Sequence, residues 1–484
     1  MLSFLYFWLL LILAYLISFK DSISFKGLQA QSLFFSGIVF IYSLKLLFLF
    51  DYQFYYFQYI IRHSLNFEYY NLHLSFGLDG LSLFFFILSS FLIFISIAFV
   101  IHESLLWFYV INLFVIELLL LLVFSVLDIL LFYVFFEAIL IPMYIIIGLW
   151  GSRERKIWAV YMLFFYTLCG SLLMLLGVLY IYFITGTFNL EYLLNYNFTI
   201  LEQKYLWLAF FLSFSSKIPV FPLHIWLPEA HVEAPTIGSV ILAGVLLKLG
   251  VYGFIRFSLP LFPIASIFYA PLVYCLCSIG VVYTSITAIR QVDLKRIIAY
   301  SSVAHMNLIV IGLFSFNLMG LEGAVFQSIS HGFVSSALFF LVGMIYVRYH
   351  TRSIYYYSGL AQVMPLFATY FLIFTMANIA LPGTSSFVGE FLILLGIFKV
   401  NFVTASAVIL SVVLCGSYSL WVFNKVSFGQ LKYLYTNFAN DLAKRELLII
   451  FPLFFCVIIL GFYPYLCLKY IHASAVVIQL KFFI

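Results

Sequence analysis

Runs of apolar residues recur along the whole chain, and the short stretches between them hold most of the charged and turn-forming residues. An α-helix needs roughly 20 apolar residues to cross the hydrocarbon core of a bilayer. The pattern therefore predicts an all-α polytopic membrane protein with about fourteen transmembrane helices. A loop is predicted before the third helix, and Asp79 is predicted to be the N-cap of that helix. The predicted spans are roughly 1–19, 30–50, 81–101, 105–124, 126–148, 157–184, 205–225, 235–258, 264–287, 297–315, 321–347, 361–400 (broken), 404–424 and 447–468.

The composition supports this class, since 66% of the 484 residues are hydrophobic and only 8% are charged. Most of the 23 Lys and Arg fall in links after odd-numbered helices, which the positive-inside rule places in the matrix or cytoplasm. An even number of spans then puts both termini on the opposite side of the membrane. Abundant Phe and Tyr suit an A/T-rich organellar genome, although an A/T-rich bacterium would show the same bias.

Residues 213–253 hold the densest chemical signal. Lys217 lies in an apolar segment, four prolines follow between positions 219 and 235, and Lys248 lies in the next apolar segment. Each proline removes a backbone donor, and in lipid the freed groups need partners inside the protein or in a water-filled cavity. The stretch therefore favours a buried polar path. The alternative for each lysine is a side chain that snorkels to the membrane surface.

Four further titratable residues lie inside or beside predicted helices, namely Glu137, His305, His331 and Glu390. An ionisable group at mid-bilayer costs about 2.5 kcal/mol or more on insertion scales, and such groups are usually functional. Each histidine has a polar residue about one turn before it, which favours a proton relay over two isolated core histidines. The alternative for Glu137 is a structural carboxyl that bonds to a neighbouring helix.

Other polar residues leave two interpretations open. Asp128 either caps a helix or joins the polar path, and Glu117 either packs helices together or joins it. Glu229, His231 and Glu233 lie in the connector after the prolines, where they either gate entry or are solvated. The six cysteines are scattered without a CxxC pair, so the sequence supports neither an iron–sulfur site nor a disulfide.

The order of these features predicts two five-helix repeats. The first holds an acidic residue, a proline-broken helix with one lysine, and then a second lysine. The second holds two histidines and then a break at Pro382 before Glu390. Because five is odd, the two repeats would be inverted, as in many transporters with broken helices. The predicted domains are 1–103 (helices one to three), 104–258 (first repeat), 259–426 (second repeat) and 427–484 (a link and the last helix).

Several segments resemble the antiporter-like subunits of respiratory complex I, the mitochondrial NADH:ubiquinone oxidoreductase. They are WLPEAHVEAPTIGSVILAGVLLKLGVYG, DLKRIIAYSSVAHM, HGFVSSALFFLVGMIYVRYHTR, LPGTSSFVGEF and FFEAILIPMYIIIGLWG. The resemblance covers about residues 76–424 and is strongest over 128–352. The block HVEAP…LLKLG resembles subunit 4 more than subunits 2 and 5, and so does Glu390, where those subunits tend to have Lys.

The resemblance implies a membrane-arm subunit that translocates a proton while other subunits transfer electrons from NADH to ubiquinone. It implies these roles: Glu137 and Lys217 as an ion pair, Lys248 as the central lysine, His305 and His331 in a hydrated axis, and Glu390 as the exit residue. It further implies the mitochondrial inner membrane as the location, with neighbouring membrane-arm subunits and lipids as partners. We expect no cofactor, metal or nucleic acid to bind this chain.

Three other functions remain possible from the sequence. An Mrp-type cation/proton antiporter subunit would have the same fold and charges without a redox partner. A purely structural membrane subunit would use the charges for packing alone. A quinone-binding redox subunit is disfavoured, because the sequence has no GxGxxG motif, no cysteine cluster and no soluble domain.

Overall fold

The computed structural model describes residues 25–67, 70–100, 106–432 and 440–482, and most of them are helical. The predicted span 1–19 lies outside the described residues. In chain order the structure has α1 Phe25–Leu49, β1 Gln58–Phe67, β2 Tyr70–Leu78, α2 Gly80–Phe99, α3 Leu106–Ser125, α4 Ile129–Ala138, α5 Leu140–Trp150, α6 Lys156–Thr185, α7 Ile200–Lys217, α8 Trp226–Glu233, α9 Thr236–Leu261, α10 Pro263–Ile289, α11 Leu294–Leu313, α12 Leu318–Tyr349, α13 Pro365–Asn378, α14 Ser385–Phe398, α15 Phe402–Ser427, α16 Lys444–Phe462 and α17 Tyr465–Leu480.

Eleven helical segments in the described ranges are long and apolar enough to cross a membrane, with α4 and α5 counted as one. Three shorter apolar helices, α13, α14 and α17, accompany them, and α17 was not predicted. The segment 205–225 is interrupted where its prolines predict a break, since α7 ends at Lys217. Pro219 and Pro222 cannot continue the helix, because they lack the backbone donor and clash with the preceding turn.

The segment before α2 is a two-stranded antiparallel hairpin, so the predicted loop is wrong there. Its register pairs Gln58 with Leu78 and Phe67 with Tyr70. The sequence signal is a short alternation of apolar and polar residues over 72–76, which is typical of a strand. The predicted N-cap that follows is confirmed, because Oδ1 of Asp79 accepts a 2.9 Å hydrogen bond from the backbone N–H of Ser82.

Contacts within the chain divide it into two compact units. The first comprises Met1–Lys217, Tyr252–Ile267 and Tyr470–Ile484, and the second comprises Ile218–Val251 and Phe268–Lys469. In the first unit α6 and α7 approach closely at Gly170, where an added Cβ would lie 2.6 Å from Oγ of Ser216. The absence of a side chain at this glycine therefore sets the separation of the two helices next to Lys217.

The second unit is organised around α12. Its whole apolar core segment is buried inside the protein. The polar residues Gln327 and His331 on this helix are 1% and 4% exposed. A membrane helix that is surrounded by other helices can hold polar side chains without exposing them to lipid. α12 therefore provides a scaffold for buried polar contacts in this unit.

Candidate functional site

Glu137 and Lys217 form a buried ion pair in the first unit. Nζ of Lys217 lies 3.4 Å from Oε1 of Glu137, and the two side chains are 6% and 14% exposed. The same Nζ donates a 2.8 Å hydrogen bond to the carbonyl oxygen of Phe136 and lies 3.8 Å from the centre of that ring. The carboxylate contact is longer than the roughly 2.7–2.9 Å of a charge-assisted hydrogen bond. A small movement would therefore tighten or break this pair.

Breaks in two helices set the positions of the pair. α4 ends at Ala138, immediately after Glu137. Pro142 explains this interruption, because it has no N–H to offer the carbonyl of Ala138 four residues earlier. α7 ends at Lys217 itself, two residues before Pro219. Both charged side chains therefore project from helix ends inside apolar segments, where backbone carbonyls are available to an ammonium group.

Lys248 is fully buried in the second unit and contacts a histidine. Its Nζ lies 2.9 Å from Nδ1 of His331 and also donates a hydrogen bond to the carbonyl oxygen of Ala243. A charged lysine donates to the lone pair of a neutral imidazole, and transfer of that proton would leave a neutral amine and an imidazolium. The contact is therefore a single hydrogen bond along which a proton can move.

Two π-helical turns interrupt α9, at Leu242–Leu246 and Phe254–Ser258. Ala243, whose carbonyl accepts the hydrogen bond from Lys248, lies in the first of these turns. Turns of this type are rare and are frequent at functional sites. The first π-turn thus provides the ammonium of Lys248 with a backbone acceptor five residues earlier in the same helix.

His305 and Glu390 form a second buried contact in this unit. Nδ1 of His305 lies 3.0 Å from Oε1 of Glu390, and the two side chains are 8% and 5% exposed. Nε2 of Gln327 donates a 3.1 Å hydrogen bond to the same carboxylate oxygen. The ring centres of His305 and His331 are 5.7 Å apart. Buried titratable groups therefore follow one another from Lys248 to Glu390.

The polar residues one turn before each histidine have other partners. Ser301 and Ser302 donate to carbonyl oxygens of their own helix, at 2.8 and 2.7 Å. Gln327 donates to Glu390. These polar residues therefore do not contact the histidines on their own helix through these hydrogen bonds. Contacts between helices, rather than along one helix, join His305 and His331 to other titratable groups.

A glycine permits the contact between α12 and α14 on which Glu390 depends. A Cβ added at Gly389 would lie 2.5 Å from Oε1 of Gln327 and 2.8 Å from its Cα. Since real Cβ atoms do not come so close to backbone atoms, only glycine allows this separation of the helices. Gly389 therefore lets the amide of Gln327 reach the carboxylate of the next residue, Glu390.

The connector residues are mostly buried. His231 and Glu233 are 0% and 2% exposed, so the solvated interpretation is wrong for these two. Glu229 is part-exposed and pairs at 2.6 Å with Arg296. Lys295 approaches the same connector, where its Nζ donates a 2.8 Å hydrogen bond to the carbonyl oxygen of Ala234. The connector is thus held in place by basic residues at the start of α11.

Asp128 and Glu117, for which the sequence left two interpretations, differ in their hydrogen bonds. Asp128 caps α4, since its Oδ1 accepts a 3.1 Å hydrogen bond from the backbone N–H of Leu131. Glu117 in α3 is 0% exposed, and neither carboxyl oxygen has a hydrogen-bond partner among the described residues. Within those same ranges, no group of three or more His, Cys, Asp and Glu is placed to hold a metal ion.

Comparison with known proteins identifies the family. Residues 126–415 match the family described as NADH:quinone oxidoreductase/Mrp antiporter, transmembrane. NADH-ubiquinone oxidoreductase chain 4 of Chondrus crispus is 51% identical over 448 residues, which cover 92% of this chain and 91% of the relative. The chain belongs to the NADH-ubiquinone oxidoreductase chain 4 family. The six residues with implied roles in proton transfer all lie within the matched region.

Solved structures agree with membership of the chain 4 family. A chain of respiratory complex I from Thermus thermophilus superposes with a TM-score of 0.89 at 30% identity, covering 99% of both chains. A chain of the Mrp complex from Dietzia sp. gives a TM-score of 0.86 at 18% identity, again over 99% of both. At that identity the second likeness is one of fold alone. This member of the chain 4 family is a multi-pass membrane protein with an antiporter-like fold.

Proposed function

We propose that this chain translocates a proton in the membrane arm of NADH:ubiquinone oxidoreductase, through Glu137, Lys217, Lys248, His331, His305 and Glu390. Electron transfer from NADH to ubiquinone, in other subunits, provides the driving force. The observation that carries the proposal is the series of buried titratable groups from Lys248 to Glu390, with direct contacts at its two ends and the two histidine rings 5.7 Å apart between them. Buried ionisable residues of this kind are costly in a membrane, and they mark ion and proton pathways.

The ion pair of Glu137 and Lys217 acts as the switch in this proposal. Two opposite charges in contact favour the ionised form of both groups, and separating them in a low-dielectric interior removes that preference. Movement of Lys217 away from Glu137 therefore promotes release of the lysine proton. The 3.4 Å separation supports this role, because the pair is close enough to interact without being locked by a short hydrogen bond.

The buried groups from Lys248 to Glu390, which we call the second series, transfer the proton onward. Lys248 gives its proton to Nδ1 of His331 across their 2.9 Å contact. The ring centres of His331 and His305 are 5.7 Å apart, a separation that one hydrogen-bonded water spans. Nδ1 of His305 then delivers the proton to Glu390 across 3.0 Å. The first and last steps join a donor and an acceptor in direct contact, and the middle step requires a bridging water.

The same proposal includes the finer architecture and the cellular setting. It has fourteen transmembrane helices, two inverted five-helix repeats with one broken helix each, and the domain limits predicted above. The protein lies in the mitochondrial inner membrane with both termini on the intermembrane-space side. Its partners are neighbouring membrane-arm subunits and lipids, while the NADH, flavin, iron–sulfur and quinone sites belong to other subunits.

Reconstitution of the purified complex tests this function against the antiporter alternative. The complex that contains this chain is incorporated into sealed vesicles with a pH-sensitive dye. We expect NADH and a quinone to drive proton uptake, and we expect a sodium gradient alone to move no protons. Proton movement driven by a sodium gradient without NADH, from a complex that lacks redox centres, would instead establish an Mrp-type antiporter.

A further inference from the structure

A cavity of about 460 Å³ opens in the first unit, and none of the six proton-transfer residues lines it. Its walls come from the loop before β1, β1 itself, the N-cap of α2, the segment 191–195 between α6 and α7, the end of α9, the last turns of α17 and Lys481. A volume of this size is typical of sites for small ligands, which run from roughly 300 to 1,000 Å³. The cavity is therefore a candidate binding site with no part in the proposed relay.

The cavity lies level with the ends of two membrane spans. Asp79, which precedes the first residue of α2, lines it, and so does Pro260 in the last turn of α9. Both spans reach the membrane surface at such ends, where phospholipid headgroups are found. The ligand of this cavity is therefore expected to be a molecule of the membrane interface.

Among the described residues that line the cavity, positive side chains outnumber negative ones by one. Arg256 is paired with Asp79 at 2.6 Å, and Arg62 is paired with Glu191. Lys481 also lines the cavity, and within the described ranges it forms no ion pair with an acidic residue. With both carboxylates already neutralised, the remaining charge of the site is the ammonium of Lys481, which an anion would balance.

The ammonium of Lys481 has capacity for a further acceptor. Its Nζ donates one hydrogen bond, of 2.8 Å, to the carbonyl oxygen of Leu194. A lysine ammonium has three donors, so two remain for a ligand. Burial lowers the pKa of Lys481, which follows the last residue of α17. A bound anion would reverse that shift, because a nearby negative charge favours the protonated amine.

The rest of the lining is apolar and aromatic. Ile60 and Val477 contribute aliphatic surface. Tyr55 and Tyr56 lie at the opening with their ring centres 4.1 Å apart, and they are 48% and 59% exposed. Tyrosines with a polar tip and an apolar ring are typical of membrane interfaces. The cavity thus combines an unbalanced cation with walls that match a hydrocarbon chain.

We propose that this cavity binds an anionic phospholipid, with its phosphate at Lys481 and the upper part of an acyl chain along the apolar wall. Free inorganic phosphate has the same headgroup chemistry but would leave that wall uncovered. The apolar surface is the reason to favour the lipid, since burial of each CH₂ group contributes about 0.8 kcal/mol. The site does not depend on the proposed proton relay.

Photolabelling of the intact complex tests the proposal. The complex is reconstituted in phosphatidylcholine vesicles with a trace of photoactivatable phosphatidylglycerol, and labelled peptides from the cavity wall are quantified. We expect Lys481→Gln to reduce the labelling about tenfold, because it removes a charge-assisted hydrogen bond. Lys469→Gln is the matched control, since Lys469 lies on α17, the helix that ends just before Lys481, and does not line the cavity. Its labelling is expected to equal that of the natural protein.

Three further measurements complete the test. Lys481→Arg is expected to retain the label, a phosphatidylcholine probe to label weakly, and excess inorganic phosphate to leave the lipid label in place. Undiminished labelling of Lys481→Gln would overturn the proposal, and so would displacement by phosphate alone. A map of the complex with a neighbouring subunit's segment in the cavity would also overturn it. Because the labelling is measured without NADH, a negative result for the lipid site is distinguishable from a failure of the proton relay.

Discussion

Two buried ion pairs in the first unit differ in how firmly each carboxylate is held. Asp79 contacts Arg256 at 2.6 Å and also accepts a backbone hydrogen bond from Ser82. Glu137 contacts Lys217 at 3.4 Å, and its oxygens accept no hydrogen bond within the described ranges. Full satisfaction of the first pair is typical of a structural role. The looser second pair is therefore the one whose charges we propose to separate during turnover.

Replacement of Glu390 by Gln tests the last step of the second series. The amide keeps the size of the carboxyl and can still accept a hydrogen bond from Gln327, but it cannot take a proton from His305. We expect NADH-driven proton pumping to slow about tenfold or more, because one acid–base group of the path is lost. The initial rate of dye-detected proton uptake in vesicles measures this.

Glu154→Gln is the matched control for that variant, because Glu154 is exposed in the link before α6. It should leave both pumping and NADH oxidation unchanged. Normal pumping by an assembled Glu390→Gln complex would remove Glu390 from the pathway.

The buried charged residues themselves were predictable, because a lysine or glutamate inside an apolar run is visible in the sequence. Their partners were not. The contact of His305 with Glu390 requires that α11 and α14 meet, which no local pattern reports. The same holds for Lys248 and His331, which come from α9 and α12. The serines one turn before His305 donate to carbonyl oxygens of their own helix, so local spacing did not identify the partner of this histidine.

At the scale of elements, interruptions of helices place the polar groups. Proline breaks end α4 and α7 next to Glu137 and Lys217, and a π-turn in α9 provides the acceptor for Lys248. The stretch between α13 and α14 includes Gly383, whose φ of +95° favours glycine. Each break exposes backbone groups inside the protein, and side chains or water can satisfy them there.

The close approach of α12 and α14 predicts that Gly389→Ala is destabilising. The added methyl group would collide with the backbone of Gln327, so the helices must separate or shift. We expect a loss of about 1–3 kcal/mol in stability, the usual cost of overpacking. Thermal inactivation of the purified complex measures it, and the hydrogen bond from Gln327 to Glu390 should weaken with it.

Gly416→Ala in α15 is the control, because the nearest atom to its added Cβ is 3.8 Å away, on Ile379. That variant should be as stable as the natural protein. Equal thermal stability of the two variants would show that Gly389 does not set the helix separation.

Prolines made the two interrupted segments predictable, because a missing backbone donor ends a helix regardless of its surroundings. The π-turns of α9 have no comparable signal, because the same residues are equally compatible with an ordinary α-helix. The hairpin over 58–78 was missed because its alternation is short and lies among aromatic residues. Its pairing depends on contacts between strands, which the pattern of one strand does not reveal.

At the scale of the whole molecule, the chain has an antiporter-like fold and belongs to the NADH-ubiquinone oxidoreductase chain 4 family. The chain matches its curated relative over nine-tenths of both lengths and a complex I chain over nearly all of both. Its likeness to an Mrp chain shows that the fold serves more than one kind of complex. The fold alone therefore does not assign roles to the buried charges, and their substitution tests the roles that we propose.

The most direct test is the number of protons translocated per electron in a complex with Lys217→Met. This substitution keeps the apolar part of the side chain and removes the charge that pairs with Glu137. Lys425→Met, at an exposed position near the end of α15, is the control. We predict a ratio below that of the control, with NADH oxidation in uncoupled membranes preserved within about twofold. An unchanged ratio in a fully assembled Lys217→Met complex would contradict proton transfer through this pair.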